Sequence, residues 1–101
     1  MDPIVADRLD EVAVLCRAAN IRRLDHFGSA TRGAFDPETS DLDFVVDLGD
    51  YEPGVARRYL RFAKALEDLF GRSVDLVTVP SLKDPLFKAE VDRTSVSLYG
   101  E

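Results

Sequence analysis

Several large classes are closed to this sequence by what it lacks. It has one cysteine, Cys16, so no intramolecular disulfide can staple it, and a reducing, cytoplasmic setting is expected. No apolar run approaches the roughly 20 residues that span a bilayer, so no membrane is expected among its partners. The opening MDPIVADRLD has no basic segment ahead of an apolar stretch, and no signal peptide is expected. Basic residues are in deficit: 13 Lys and Arg stand against 19 Asp and Glu, a net charge of −6. A phosphate-neutralising surface needs the opposite balance, so direct nucleic-acid binding is not expected. The acid excess fits a protein partner, or a site where metal ions offset it. Repeats, low-complexity tracts and linkers are missing. So are the G-x-G-x-x-G dinucleotide fingerprint and the G-K-[ST] of a phosphate loop. The acid-rich DPETSDLD is no EF-hand either, because the position that needs glycine is Asp41.

What is there predicts a single domain over residues 1–101, with an apolar fraction of 46% that is ordinary for a globular chain. Asp2-Pro3 reads as a helix start. Ile4, Val5, Leu9, Val12, Leu15, Cys16 and Ala19 then recur at helical spacing up to a stop at Asn20. Residues 21–27 read as a strand running into a turn at Gly28, and residues 30–33 as one helical turn. DLDFVVDL, 41–48, is a strand rich in β-branched residues. A long helix follows Pro53-Gly54, with Ala56, Tyr59, Leu60, Ala63, Leu66, Leu69 and Phe70 on one face and Gly71 as its C-terminal stop. SVDLVTV, 73–79, is a third strand closed by Pro80. Asp84-Pro85 caps a short helix over 86–92, and Val96, Leu98 and Tyr99 form an apolar tail that docks on the body. The expected fold class is α/β or α+β: a small sheet covered by helices.

The acids in the second strand carry the chemistry. Side chains two apart on a strand share a face, about 6.6 Å apart at roughly 3.3 Å per residue. Asp41 and Asp43 therefore point together while Leu42 and Phe44 face the core. Two carboxylates at that spacing repel by about 2–3 kcal/mol at an effective dielectric near 20, and a divalent cation reverses the sign. Magnesium prefers hard oxygen ligands, often carboxylates together with substrate phosphates. Asp75 is the acid inside the third strand, and three carboxylates from two strands can hold a metal pair suited to in-line phosphoryl transfer. Upstream, Gly28 lets backbone approach a phosphate. Free N–H groups and the Ser29 hydroxyl can bind its oxygens, and Arg32 can add a charged contact. The plainer alternative is an ordinary Gly-Ser turn followed by the solvated face of an edge strand.

Taken together, Gly28-Ser29, Arg32-Gly33, Ser40-Asp41-Leu42-Asp43 and Asp75 resemble the minimal nucleotidyltransferases of the DNA polymerase beta superfamily. That pattern is G-S-x-A-R-G, then S-D-[IL]-D with an apolar run, then a V-D-[LV] strand. Thr31 stands where alanine is usual, and the loop Ala34–Thr39 makes the Ser29-to-Asp41 spacing one residue longer than usual. The resemblance implies a minimal nucleotidyltransferase palm in which Asp41 and Asp43 bind two Mg²⁺ holding the triphosphate of ATP. Asp75 would ligate the metal near the attacking hydroxyl and help deprotonate it, while Gly28 and Ser29 cradle the β- and γ-phosphates. It further implies an antitoxin of the HEPN/MNT type, which transfers AMP from ATP to a tyrosine hydroxyl of a cognate HEPN ribonuclease toxin. The alternatives are an antitoxin that neutralises its toxin by binding alone and an enzyme acting on a small molecule. Having no acceptor-binding domain of its own, such a palm would need its partner to supply the acceptor surface.

Other residues have less specific readings. Cys16 falls on the apolar stripe and reads as a core thiol. His26 reads as a structural histidine, with a catalytic base as the alternative. Arg57, Arg61 and Lys64, with Arg58 beside them, read as a solvated helix face or a contact with a partner's acids or nucleotide phosphates. Asp36 and Glu38 read as loop residues; Asp47 shares the parity of Asp41 and Asp43.

Overall fold

The computed structural model describes residues 3–27 and 42–100. The expected first helix is split. α1, Pro3–Ala6, ends in a tight turn in which the Arg8 N–H donates to the Val5 carbonyl at 3.0 Å, and α2, Leu9–Ala18, restarts after it. Val5, Val12 and Cys16 still share one buried face, so the apolar spacing survives the break. Asn20 stops the run with a left-handed backbone, φ +56°, a conformation asparagine tolerates better than most residues.

β1, Arg23–Phe27, and β2, Leu42–Asp47, pair antiparallel; β3, Val74–Thr78, lies parallel to β2. The helix between them, α3, Val55–Phe70, is the crossover that a parallel neighbour requires. It ends at Gly71, whose φ of +69° is the left-handed C-terminal stop expected of glycine. A 3₁₀ turn over Val79–Ser81 leads to α4, Pro85–Thr94, whose N-terminal N–H on Leu86 donates to Asp84 Oδ1 at 2.9 Å. The apolar tail is a strand rather than a loose end. β4, Val96–Tyr99, adds antiparallel to the open edge of β1, giving the order β3-β2-β1-β4. The result is the mixed sheet with helices that the sequence implied.

Strand alternation splits the sheet into two unequal faces. Leu24, Leu42, Phe44, Val46 and Leu76 lie under α2 and α3 in the main core with Val12, Phe62 and Leu66. Ala56 and Leu60, expected on that face, are exposed, Leu60 at 64%. The buried stripe centres on Phe62 and Leu66, and at 100° per residue Leu60 stands about 200° from Phe62. The opposite face is thinner: Phe27, Val45 and Val91 of α4 form a small cluster with Val77 and Leu82.

Cys16 is fully buried, and loss of hydration pushes its thiol from 9.0 up to about 12. In the unfolded chain the thiol ionises first, so stability declines as pH rises from about 9 towards 12. At pH 8 the native chain is expected to resist iodoacetamide and the urea-unfolded chain to react, as read by mass spectrometry. Rapid alkylation without denaturant would refute the core placement.

Candidate active site

Asp43 projects from the thin face of β2, between Leu42 and Phe44 that point into the core. Its register partner on β3 is Asp75. Residues opposite one another on adjacent strands share a face, with backbones about 4.8 Å apart. The fold thus sets two carboxylates side by side across a parallel pair, one half-buried and one exposed. Hard oxygens at that separation match what a divalent cation bound to phosphates demands. Asp41, Gly28, Ser29 and Arg32 lie outside the described residues. Among the described residues no set of three His, Cys, Asp or Glu side chains converges.

Two neighbours hold this pair in place, and neither was singled out for that from the sequence. His26, fully buried, faces the core against Phe44, with ring centroids 5.2 Å apart. Its Nδ1 lies 2.8 Å from the Asp43 carbonyl oxygen; that oxygen can only accept, so Nδ1 carries the proton and donates. The histidine fastens the backbone of Asp43 from behind, which agrees with the structural reading. Tyr59 of α3 donates its hydroxyl to the Leu76 carbonyl at 2.5 Å, beside Asp75 on the edge strand. Burial, and secondarily the negative charge of Asp75, push the phenol above its ordinary range. A tyrosine on an apolar helix face needs some acceptor for its hydroxyl, which was the available signal; which carbonyl it meets depends on how the helix packs.

Asp47 shares the face of Asp43 but lies four residues along, about 13 Å away. Its Oδ1 accepts from the Gly49 N–H at 2.9 Å, so it caps the turn after β2. Arg58 donates to the Asn20 and Asp50 carbonyls, at 3.1 and 2.9 Å, tying the ends of α2, β2 and α3 together. Asp36 and Glu38 lie outside the described residues. No helix among those described is long and apolar enough to cross a membrane.

Comparison with known proteins agrees with this fold. Residues 12–96 match the model of the nucleotidyltransferase domain. The chain belongs to the nucleotidyltransferase family. Two Methanocaldococcus jannaschii relatives bear the names "Putative protein adenylyltransferase MJ1217" and "MJ1379". The first is 32% identical over 79 residues, 78% of each chain, and the second 31% identical over 72 residues, 71% of each. A solved "putative minimal nucleotidyltransferase" superimposes with a TM-score of 0.77 at 32% identity, covering 95% of both chains. A chain from the complex of a tri-AMPylated Shewanella oneidensis HEPN toxin with an MNT antitoxin reaches a TM-score of 0.66. It is 21% identical, over 95% of this chain and 72% of that one, and so shares the fold. These likenesses make the protein an enzyme of the nucleotidyltransferase class.

Proposed function

We propose that the chain is a single-domain antitoxin nucleotidyltransferase that moves AMP from ATP to a tyrosine hydroxyl of a HEPN-type ribonuclease. The observation that carries this reading is Asp43 in register with Asp75 across a parallel strand pair, in a family whose D-x-D motif ends at Asp43. The relatives add support: curated ones named for protein adenylyl transfer, and a fold shared with an antitoxin complex whose toxin is AMPylated.

The donor set fits divalent metal. Asp41, Asp43 and Asp75 would hold two Mg²⁺, which when bound neutralise the triphosphate and polarise it for attack. The remaining work falls to the chain itself. Gly28 and Ser29 would seat the β- and γ-phosphates through backbone N–H groups and a hydroxyl, with Arg32 adding charge. The tyrosine oxygen attacks the α-phosphorus, the bond from that phosphorus to the bridging oxygen breaks, and pyrophosphate leaves in line. Asp75 accepts the phenolic proton. His26 keeps Asp43 from shifting as charge develops, through the carbonyl bond described above.

The test is to incubate the purified chain with ATP labelled at the α-phosphate, Mg²⁺ and a HEPN-type ribonuclease sought in the neighbouring reading frame. The expected result is label on a tyrosine of that protein and loss of its ribonuclease activity. Neutralisation without label would establish the binding-only reading. Label on a small molecule in place of the protein would likewise overturn the proposal.

A further inference from the structure

The helices that cover the main core carry an outward seam with opposite charge at its two ends. Two cavities, of about 400 and 550 Å³, lie end to end along α2 and α3 and share Leu15 and Ala65. Arg57, Arg58 and Arg61 border the first, Glu11 and Asp68 the second. Arg58 is committed to the carbonyls already described, but Arg57 and Arg61 have no hydrogen bond or ion pair among the described residues. At the other end Glu11 pairs with Arg8 at 3.1 Å and Asp68 with Lys64 at 2.6 Å. Both are exposed pairs between residues three or four apart in sequence, individually weak, so exchanging partners costs little. The floor between is apolar, with Val14 of the second cavity 55% exposed.

From this self-complementarity we infer that a second copy of the chain docks on the seam about a twofold axis beside Ala65. Arg61 and Asp68 are seven residues apart, about 10.5 Å along the helix, and their midpoint falls between Lys64 and Ala65. When two α3 helices cross antiparallel there, Arg61 of each copy faces Asp68 of the other, with Glu11 close by on α2. A twofold interface requires this reciprocity, since each patch must match itself reversed. Ala18 and Ala65 are small enough to let the helices approach, and Leu15 and Val14 supply apolar contact. An unrelated acidic partner would satisfy the arginine end but be repelled by the acidic end, so a second copy fits the whole seam better. The surface lies on the opposite side of the sheet from Asp43 and Asp75, so docking leaves the carboxylates open.

Sedimentation equilibrium of the purified chain tests this. A dimer is expected at low ionic strength, weakening in salt of about 0.5 M as the charges are screened. Arg61→Glu alone and Asp68→Lys alone should each raise the dimer dissociation constant at least tenfold. Mixing the two variants should restore association, because Glu at 61 on one chain then meets Lys at 68 on the other at one contact and the native pair forms at the second. A misfolded variant could not be rescued in this way. A monomeric wild-type chain at about 100 μM, or two single variants that fail to complement, would overturn the proposal. Loss of some other partner on Arg57→Glu/Arg61→Glu in a monomeric wild type would overturn it too, giving the seam to that partner.

Discussion

Asp43→Asn is expected to end AMP transfer while leaving the chain about as stable as before. Losing one preorganised electrostatic element of an active site lowers turnover by about 10²–10³-fold, and a metal ligand is such an element. The stability effect is small: like charges on in-register strands repel, but Asp75 is exposed and water screens the pair, so the Tm should shift by no more than a few degrees. Mg²⁺ with nucleotide should raise the Tm of the unmodified chain and barely move that of Asp43→Asn, since binding to the native state stabilises by mass action. Scanning calorimetry and α-phosphate labelling read the two halves separately. Retained labelling would remove Asp43 from the catalytic set; a large fall in Tm would mean it is a structural acid.

Phe44→Ala should be the costliest change within the core, at about 3–5 kcal/mol. Phe44 is fully buried, with its ring 5.2 Å from the His26 ring and stacked on Phe70 at 5.9 Å. Truncation leaves a void between a strand and a helix that are both anchored elsewhere, so little collapse can fill it. The loss is a large fraction of the 5–15 kcal/mol that holds a domain together. Urea titration should show a lower midpoint with an unchanged slope. A shift under 1 kcal/mol would mean that the core around β2 repacks freely. Because Phe44 adjoins Asp43, the two substitutions separate chemistry from scaffold: one removes activity and keeps the fold, and the other loosens the fold itself.

Period-2 alternation told which residues of β2 face the core, and the helical spacing of α2 and the Pro85 and Gly71 signals placed their helices correctly. The same alternation put Asp43 on the face away from that core; Asp41, its expected companion, lies outside the described residues. What no local pattern encodes is which strand lies beside which. That Asp75 stands opposite Asp43, and not one residue up or down, follows from the crossover geometry of α3. Four residues carry little pattern of their own, so VSLY reads from sequence as a docked tail; the open edge of β1 makes it a strand. Leu60 was misplaced because α3 is apolar over a wide arc, and only packing shows that Phe62 and Leu66 mark its centre. The phosphate-binding half of the motif, from Gly28 to Asp41, rests on the sequence and the family.

The strand order has one more effect on the two carboxylates. Asp43 belongs to an inner strand, bonded on both sides to β1 and β3, whereas Asp75 belongs to the sheet's margin, with Tyr59 as a side-chain anchor there. Ordering of the backbone therefore falls off across the pair, as it does from the centre to the rim of any cooperative unit. On the proposed reading of the site, the inner acid would act as a fixed datum and the marginal one as an adjustable jaw. A clamp built that way can keep one side of a nucleotide in register while the other yields to acceptors of different shape.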